Sequence, residues 1–342
     1  MRTGRKKLVV ACTTVAVTTV GALSLGEFVV RIVKPQITMF PRREFSAEYG
    51  FLNFEDTRIT HSRGSEWSFT YTTNHLGNRG EVVPVSNAYD VPNLLVLGDS
   101  YSFGIGVDDG EEYPSVLAER LRGRYRVTNL SVGGWGLAQQ IRRYYEFGQV
   151  YLPDTVLLQF CRNDPGDNLN NRVTLIEDGR FSFVDSGSKL NWIKRYLSHS
   201  LIQRSHLYNL FRDSVYRYFA SRHVKKVSES LRKGGGGEAT AIPPEEQFHC
   251  ELLELFARDL RLRGVRLLMI AVNGELGDFP FLEQKVLELD SDGLLDYVEV
   301  AEFFQGVTDY DSPEGHKWGK KAHGILGERL SDLITRLDLD RG

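Results

Sequence analysis

Leu94-Leu95-Val96-Leu97 is an apolar run without alternation, and it stops abruptly at Gly98-Asp99-Ser100. A strand with one face in water alternates polar with apolar residues. A run that does not alternate suits a central strand covered on both faces. Gly98 can turn the backbone sharply where other residues resist. A helical pattern over Tyr113–Leu121 follows. A serine at the carboxyl end of a buried parallel strand, just ahead of a helix, stands where open α/β sheets place their ligands. Ser100 is therefore a candidate nucleophile, with an ordinary turn serine as the simpler alternative.

The same grammar repeats downstream. Arg126–Leu130 reads as a strand ending in Ser131-Val132-Gly133-Gly134, and a helix around Ala138–Gly148 follows. Thr155–Phe160 reads as a third strand, ending in Cys161-Arg162-Asn163-Asp164. A βαβαβ series predicts an α/β fold with a doubly wound parallel sheet. Right-handed crossovers bring the strand ends to one edge, so Ser100, Gly134 and Asn163 should converge. An insert at about 170–244 breaks the series. Within it, Val173–Val184 reads as a hairpin turning at Asp178-Gly179. Leu190–Lys233 is amphipathic and helical, with Trp192, Tyr196, Tyr208, Phe211, Tyr216 and Phe219 as an aromatic stripe. The stripe is expected to pack on the core, and a substrate- or membrane-facing lid is the alternative. Gly234–Gly237 and the residues up to Pro244 read as a flexible linker. The alternation resumes with a helix over Glu245–Arg263, strands at Val265–Val272 and Tyr297–Val300, and a closing helix to about Leu337. The sheet should therefore have five strands. Gly104-Ile105-Gly106 is not a dinucleotide fingerprint, because Asp109 stands where the third small residue is needed.

The N-terminus carries a targeting signal. Arg2, Arg5, Lys6 and Lys7 precede a charge-free apolar stretch from Leu8 to Leu25. About 18 apolar residues is the lower limit for crossing a bilayer. The basic flank predicts a cytoplasmic start and an exported remainder. A cleaved signal peptide is the alternative. No clear Ala-x-Ala site follows, and Phe28-Val29-Val30 resumes the apolar character after Glu27. This favours a retained anchor. The expected organisation is a flank and transmembrane segment over 1–30, an extension over 31–90 and a main domain over 91–338. The extension carries a strand pattern at Trp67–Thr72 and a Gly/Asn-rich turn over Asn74–Gly80, as for a small β-layer leading into the main sheet.

A net charge of -3 over 342 residues excludes a global basic footprint for nucleic acid. Cys12, Cys161 and Cys250 allow at most one disulfide, and their spacing to histidines does not resemble a zinc site. No metal or cofactor is called for. His249-Cys250 reads as helix packing.

Taken in order, these blocks resemble one family, the SGNH or GDSL hydrolases. Gly98-Asp99-Ser100 matches its first block, and Gly134 after Asn129-Leu130-Ser131-Val132-Gly133 its second. Asn163-Asp164 matches its Gly-x-Asn-Asp block, with Cys161 in place of the glycine. Glu314-Gly315-His316 loosely matches its C-terminal acid and histidine. The resemblance implies a flavodoxin-like SGNH fold and a Ser-His-acid site without cofactor. Ser100 would be the nucleophile and His316 the base. The backbone N–H groups of Ser100 and Gly134 and the side chain of Asn163 would form the oxyanion hole. The family's usual acid lies three residues before the histidine, where this chain has Pro313. Glu314, two before, is favoured over Asp311, five before. His323 is the rival base and Ser102 the rival nucleophile.

The expected function is a membrane-anchored serine esterase that removes short O-acyl groups, with exported acylated carbohydrate as the substrate class. An acyltransferase of cell-surface polysaccharide on the same fold is the first alternative. A non-catalytic binding protein is the second.

Overall fold

The computed structural model describes residues 2–36, 43–63, 65–80, 91–185, 201, 204–212, 214–215 and 242–339. Of the aromatic stripe expected in the insert, Trp192, Tyr196, Tyr216 and Phe219 lie outside the described residues, as does the Gly234–Gly237 linker. The chain divides into two compact units. One comprises residues 1–40, 61–68 and 189–238, and the other 41–60, 69–188 and 239–342.

The second unit is built on a five-stranded parallel sheet. Its strands are β5 (Asn93–Leu97), β6 (Arg126–Asn129), β7 (Thr155–Phe160), β10 (Arg266–Ala271) and β11 (Asp296–Val298). Their spatial order is β11-β10-β7-β5-β6. Counted along the chain this is 2-1-3-4-5, the flavodoxin-like order, whose direction of winding reverses between β5 and β7. Both faces are covered, which is why β5 does not alternate. Leu95 and Leu97 point into one core with Ile141, Tyr144 and Phe256. Leu94 and Val96 point into the other with Leu117, Trp318 and Leu326. The first core is closed by α4 (Leu137–Glu146), α6 (Pro244–Leu262) and α7 (Pro280–Ser291), the second by α3 (Tyr113–Arg120) and α8 (Lys320–Leu339).

The extension does not join this sheet. β1 (Arg43–Ser46) and β2 (Gly50–Asn53) form an antiparallel hairpin, and β3 (Arg58–Arg63) pairs with β4 (Trp67–Thr72) as another two-stranded sheet. The expected hairpin in the insert is present as β8 (Thr174–Glu177) and β9 (Arg180–Phe183). Its turn takes positive φ at both Asp178 and Gly179, as a two-residue hairpin loop requires. All three cysteines are free thiols.

The first unit is dominated by α1 (Arg2–Val33). Its apolar span, Val9–Val33, has mean hydropathy 1.8 and is long enough to cross a membrane. The helix does not stop at Leu25. Glu27 Oε2 accepts bonds from Ser205 Oγ (2.7 Å) and Leu207 N–H (2.9 Å), and Oε1 accepts one from His206 N–H (2.9 Å). Arg31 donates to Glu27 (2.7 Å) and to the Arg204 carbonyl (2.6 Å). Glu27 therefore caps the helical stretch 206–212, supplying the acceptor that free N-terminal N–H groups need. The described start of this stretch, Arg204 to Leu207, is thus bonded to α1, and Phe211 of the stripe is exposed.

His323 is a core residue. It is fully buried on α8, and its Nδ1 accepts the N–H of Tyr113 at the start of α3 (3.1 Å). Burial, reinforced by the charges of Arg79 and His316, pulls its pKa down to about 3. The unfolded chain then binds the extra proton between pH ~6.5 and pH ~3, so this contribution to stability is lost as pH falls through that window. His323→Asn keeps an acceptor near Nδ1 and removes the titration. Urea midpoints measured at pH 7 and pH 4.5 should differ less in this variant than in the native chain. An unchanged pH slope would show that His323 does not titrate on unfolding.

Candidate active site

Ser100 opens α2 (Ser100–Phe103) immediately after β5. Asp99 caps that turn, accepting the N–H of Tyr101 (3.0 Å). Gly98 does not adopt a positive φ, contrary to the sharp turn expected of it. It is small for want of space, since a Cβ there would run into Ser102 Oγ and lie 2.7 Å from Gln159 Oε1. Ser102 is buried and bonded to Tyr113 Oη (2.6 Å) and Gln159 Oε1 (3.0 Å), so its hydroxyl is committed to the core.

His316 arrives from the loop ahead of α8. The loop is pinned by bonds from Ser312 N–H to the His316 carbonyl (2.8 Å) and from Gly319 N–H to the Tyr310 carbonyl (2.7 Å). His316 Nε2 lies 3.1 Å from Ser100 Oγ, and its Nδ1 is hydrogen-bonded to Glu314 Oε1. The Tyr101 ring meets the imidazole edge-on, with centroids 5.0 Å apart. Asp311 is exposed and, among the described residues, makes no bond to the imidazole. Gly106 sits behind the acid at φ 98°. A Cβ on it would strike Ser312 Oγ and come within 2.7 Å of Glu314 Oε1. The second glycine of the pair that is no dinucleotide motif thus lets the acid's loop approach the chain leaving α2.

The donors converge at the same edge. Among the described residues, the backbone N–H groups of Ser100 and Gly134 donate to no protein acceptor. Asn163 precedes α5 (Asp164–Asn170). Its Nδ2 donates to Asp167 Oδ2 (2.7 Å) and its Oδ1 accepts the Cys161 thiol (2.9 Å). Among the described residues, one N–H of the amide therefore has no acceptor. The pocket beside Ser100 holds about 450 Å³ and is lined by Ser100, Tyr101, Cys161, Arg162, Asn163, Glu275, Gly315 and His316.

Acids lie beneath the site. Burial pushes the Asp99 carboxyl up, against its bonds to Tyr101 and the charge of His316. Asp164 and the Cys161 thiol are pushed well up, by burial first and by the charge of Asp99 second. Glu275 Oε2 accepts the Arg162 N–H (2.8 Å), and Oε1 pairs with Lys317 Nζ (3.0 Å).

Sequence reasoning missed Glu275, Asp167, Arg79 and Arg43. Glu275 follows β10 at the carboxyl edge of the sheet, and that position was the available signal. Arg79 lies in the Gly/Asn-rich turn of the extension. Its buried guanidinium donates to the carbonyls of Gly104 (2.5 Å) and Val107 (2.8 Å), fixing the chain that leaves α2.

No protein-family model and no curated protein matches the chain. Solved structures do. TesA is 16% identical, with a TM-score of 0.41 over 72% of this chain and 99% of its own. A lipolytic protein of the G-D-S-L family from Desulfitobacterium hafniense is 11% identical, with a TM-score of 0.39 over 70% and 98%. An acetylxylan esterase from Geobacillus stearothermophilus is 11% identical, with a TM-score of 0.41 over 72% and 94%. In the order of its sequence blocks and of its strands, this chain is similar to the SGNH, or GDSL, hydrolases.

Proposed function

We propose that the protein is a serine esterase that removes short acyl groups from polar alcohols. The observation that carries the reading is the relay from Glu314 through both ring nitrogens of His316 to Ser100 Oγ. A neutral hydroxyl is a poor nucleophile, so the imidazole takes its proton as Oγ attacks the ester carbonyl. The carboxylate holds the Nδ1–H tautomer and stabilises the imidazolium. The charge that develops on the carbonyl oxygen meets the N–H groups of Ser100 and Gly134 and the free N–H of Asn163. The His316 proton then passes to the departing alcohol, and water repeats the cycle on the acyl-enzyme. The pocket's volume of about 450 Å³ favours a short acyl group over a fatty chain.

The test is hydrolysis of p-nitrophenyl acetate against longer-chain esters by the full chain in detergent, with and without an added polysaccharide acceptor. A short-chain preference with free acetate as product is the expected outcome. Acyl transfer to the polysaccharide would move the reading to a transferase, and no turnover of any ester would sink it.

The reading extends to location: α1 is a retained anchor with the catalytic unit on the exported side, over acylated carbohydrate of the envelope. The contacts of Glu27 with Ser205, His206 and Leu207 support retention, since cleavage after α1 would strip the helical stretch 206–212 of its cap. The protein should sediment with membranes, resist salt and be released by detergent, with its N-terminus before Leu8. A soluble mature form starting near Phe28 would replace the anchor with a signal peptide.

A further inference from the structure

Beside Gly134 stands a cation that the reading above does not use. Arg43 stands on β1, in the hairpin with β2. A Cβ on Gly134 would lie 3.0 Å from Arg43 Nη2, 3.1 Å from Nη1 and 3.4 Å from Cζ. The guanidinium therefore fills the space on Gly134 where a side chain would stand. Its Cζ is also 4.4 Å from the centroid of the Phe51 ring on the partner strand, which fixes its plane. Its Nε is buried and has no hydrogen-bond partner among the described residues. Tyr71, Asp167 and Asp99 act on it through space, without a hydrogen bond among the described residues. Burial lowers its pKa only to about 10, so it stays charged at neutral pH.

A desolvated cation without a paired anion is costly. It is tolerable where a negative charge arrives at a defined moment. The tetrahedral intermediate at Ser100 supplies such a charge beside Gly134. The other side-chain donor, Asn163, already spends one N–H on Asp167 and its oxygen on the Cys161 thiol.

We propose that Arg43 is a further catalytic residue, a charged oxyanion donor alongside Ser100, Gly134 and Asn163. The assignment rests on the serine-esterase reading. As the Oγ–C bond forms, the carbonyl electron pair moves onto oxygen and the guanidinium N–H groups receive it. When the pair returns, the ester C–O bond breaks and the alcohol leaves with the His316 proton. Arg43 gains and loses no proton in either step.

The test compares the native full chain in detergent with Arg43→Met and Arg43→Lys. Methionine keeps an apolar stem against Phe51 and removes charge and donors, while lysine keeps the charge. With p-nitrophenyl acetate, Arg43→Met should lower kcat by about 10²–10³-fold, with KM within about threefold. Arg43→Lys should recover at least tenfold of that loss. The rate of Ser100 labelling by a fluorophosphonate, which requires no natural substrate, should fall in parallel.

An unchanged kcat and labelling rate in Arg43→Met would overturn the assignment. A rise in kcat would do the same and mark Arg43 as a plug. An effect confined to KM for esters bearing a carboxylate would reassign it to binding an anionic substituent. Equal losses in both variants together with a lowered Tm would reduce it to a structural role. Ser100→Ala is run in parallel. If that variant still turns over ester, the esterase reading itself falls. If it is dead while Arg43→Met is normal, only the role of Arg43 falls.

Discussion

Ser100→Ala should abolish ester turnover and covalent labelling by a fluorophosphonate, lowering kcat by about 10⁴–10⁶-fold. His316→Ala should cost nearly as much in turnover. Oγ and Nε2 form one hydrogen-bonded unit, and without the base the hydroxyl keeps its proton during attack. The two losses should not add in the double variant, because each change disables the same step. Neither change touches a core layer, so both proteins should unfold at the native Tm. His323→Asn is the internal control. Its ring faces Tyr113 in the core, so kcat should stay within a few-fold of native. Full esterase activity in Ser100→Ala would falsify the site assignment and leave only the fold.

The second large effect separates two acids that lie three residues apart. Glu314→Gln should lower kcat by about 10⁴-fold, the scale seen when a triad carboxylate becomes an amide of the same shape. The amide can present its N–H₂ to Nδ1 and select the wrong tautomer, which leaves Nε2 unable to accept the serine proton. Asp311→Asn should leave kcat unchanged, since Asp311 is exposed and makes no bond to the imidazole among the described residues. Its backbone carbonyl lies where a Cβ on Gly319 would be, so Asp311 shapes the loop through the main chain, which the substitution leaves intact. The informative number is the ratio of the two kcat losses. A larger loss in Asp311→Asn would reverse the assignment and require the loop to rearrange when substrate binds.

The strands and their order of appearance were legible in the sequence, because an element buried on both faces must be apolar on both faces. Leu94–Leu97 shows this directly, and its two sets of side chains do enter separate cores. The convergence of Ser100, Gly134 and Asn163 followed from handed crossovers, a rule that needs no side-chain detail. Glu314 was preferred because a proline and a glycine flank it and allow a loop. His323 could only be ranked behind His316, since a helical histidine reads alike whether it caps a neighbour or performs chemistry.

Local pattern determined the α/β class and the sheet edge that carries Ser100, Gly134 and Asn163, and the family resemblance added the candidates Glu314 and His316. Those features depend on contacts within a strand, a turn or one crossover, so nearby residues encode them. Tertiary structure alone decided which acid meets the imidazole, that His323 is core, that Gly98 and Gly106 are small to admit neighbours, and that Arg79 and Arg43 of the extension meet the chain after α2 and Gly134. Each of these depends on a partner distant in the chain. Arg43 and Gly134 are 91 positions apart, and no periodicity links a hairpin arginine to a glycine at a strand end. The free energy of such a contact belongs to the assembled fold, where partial burial strengthens the field of the guanidinium beside Gly134.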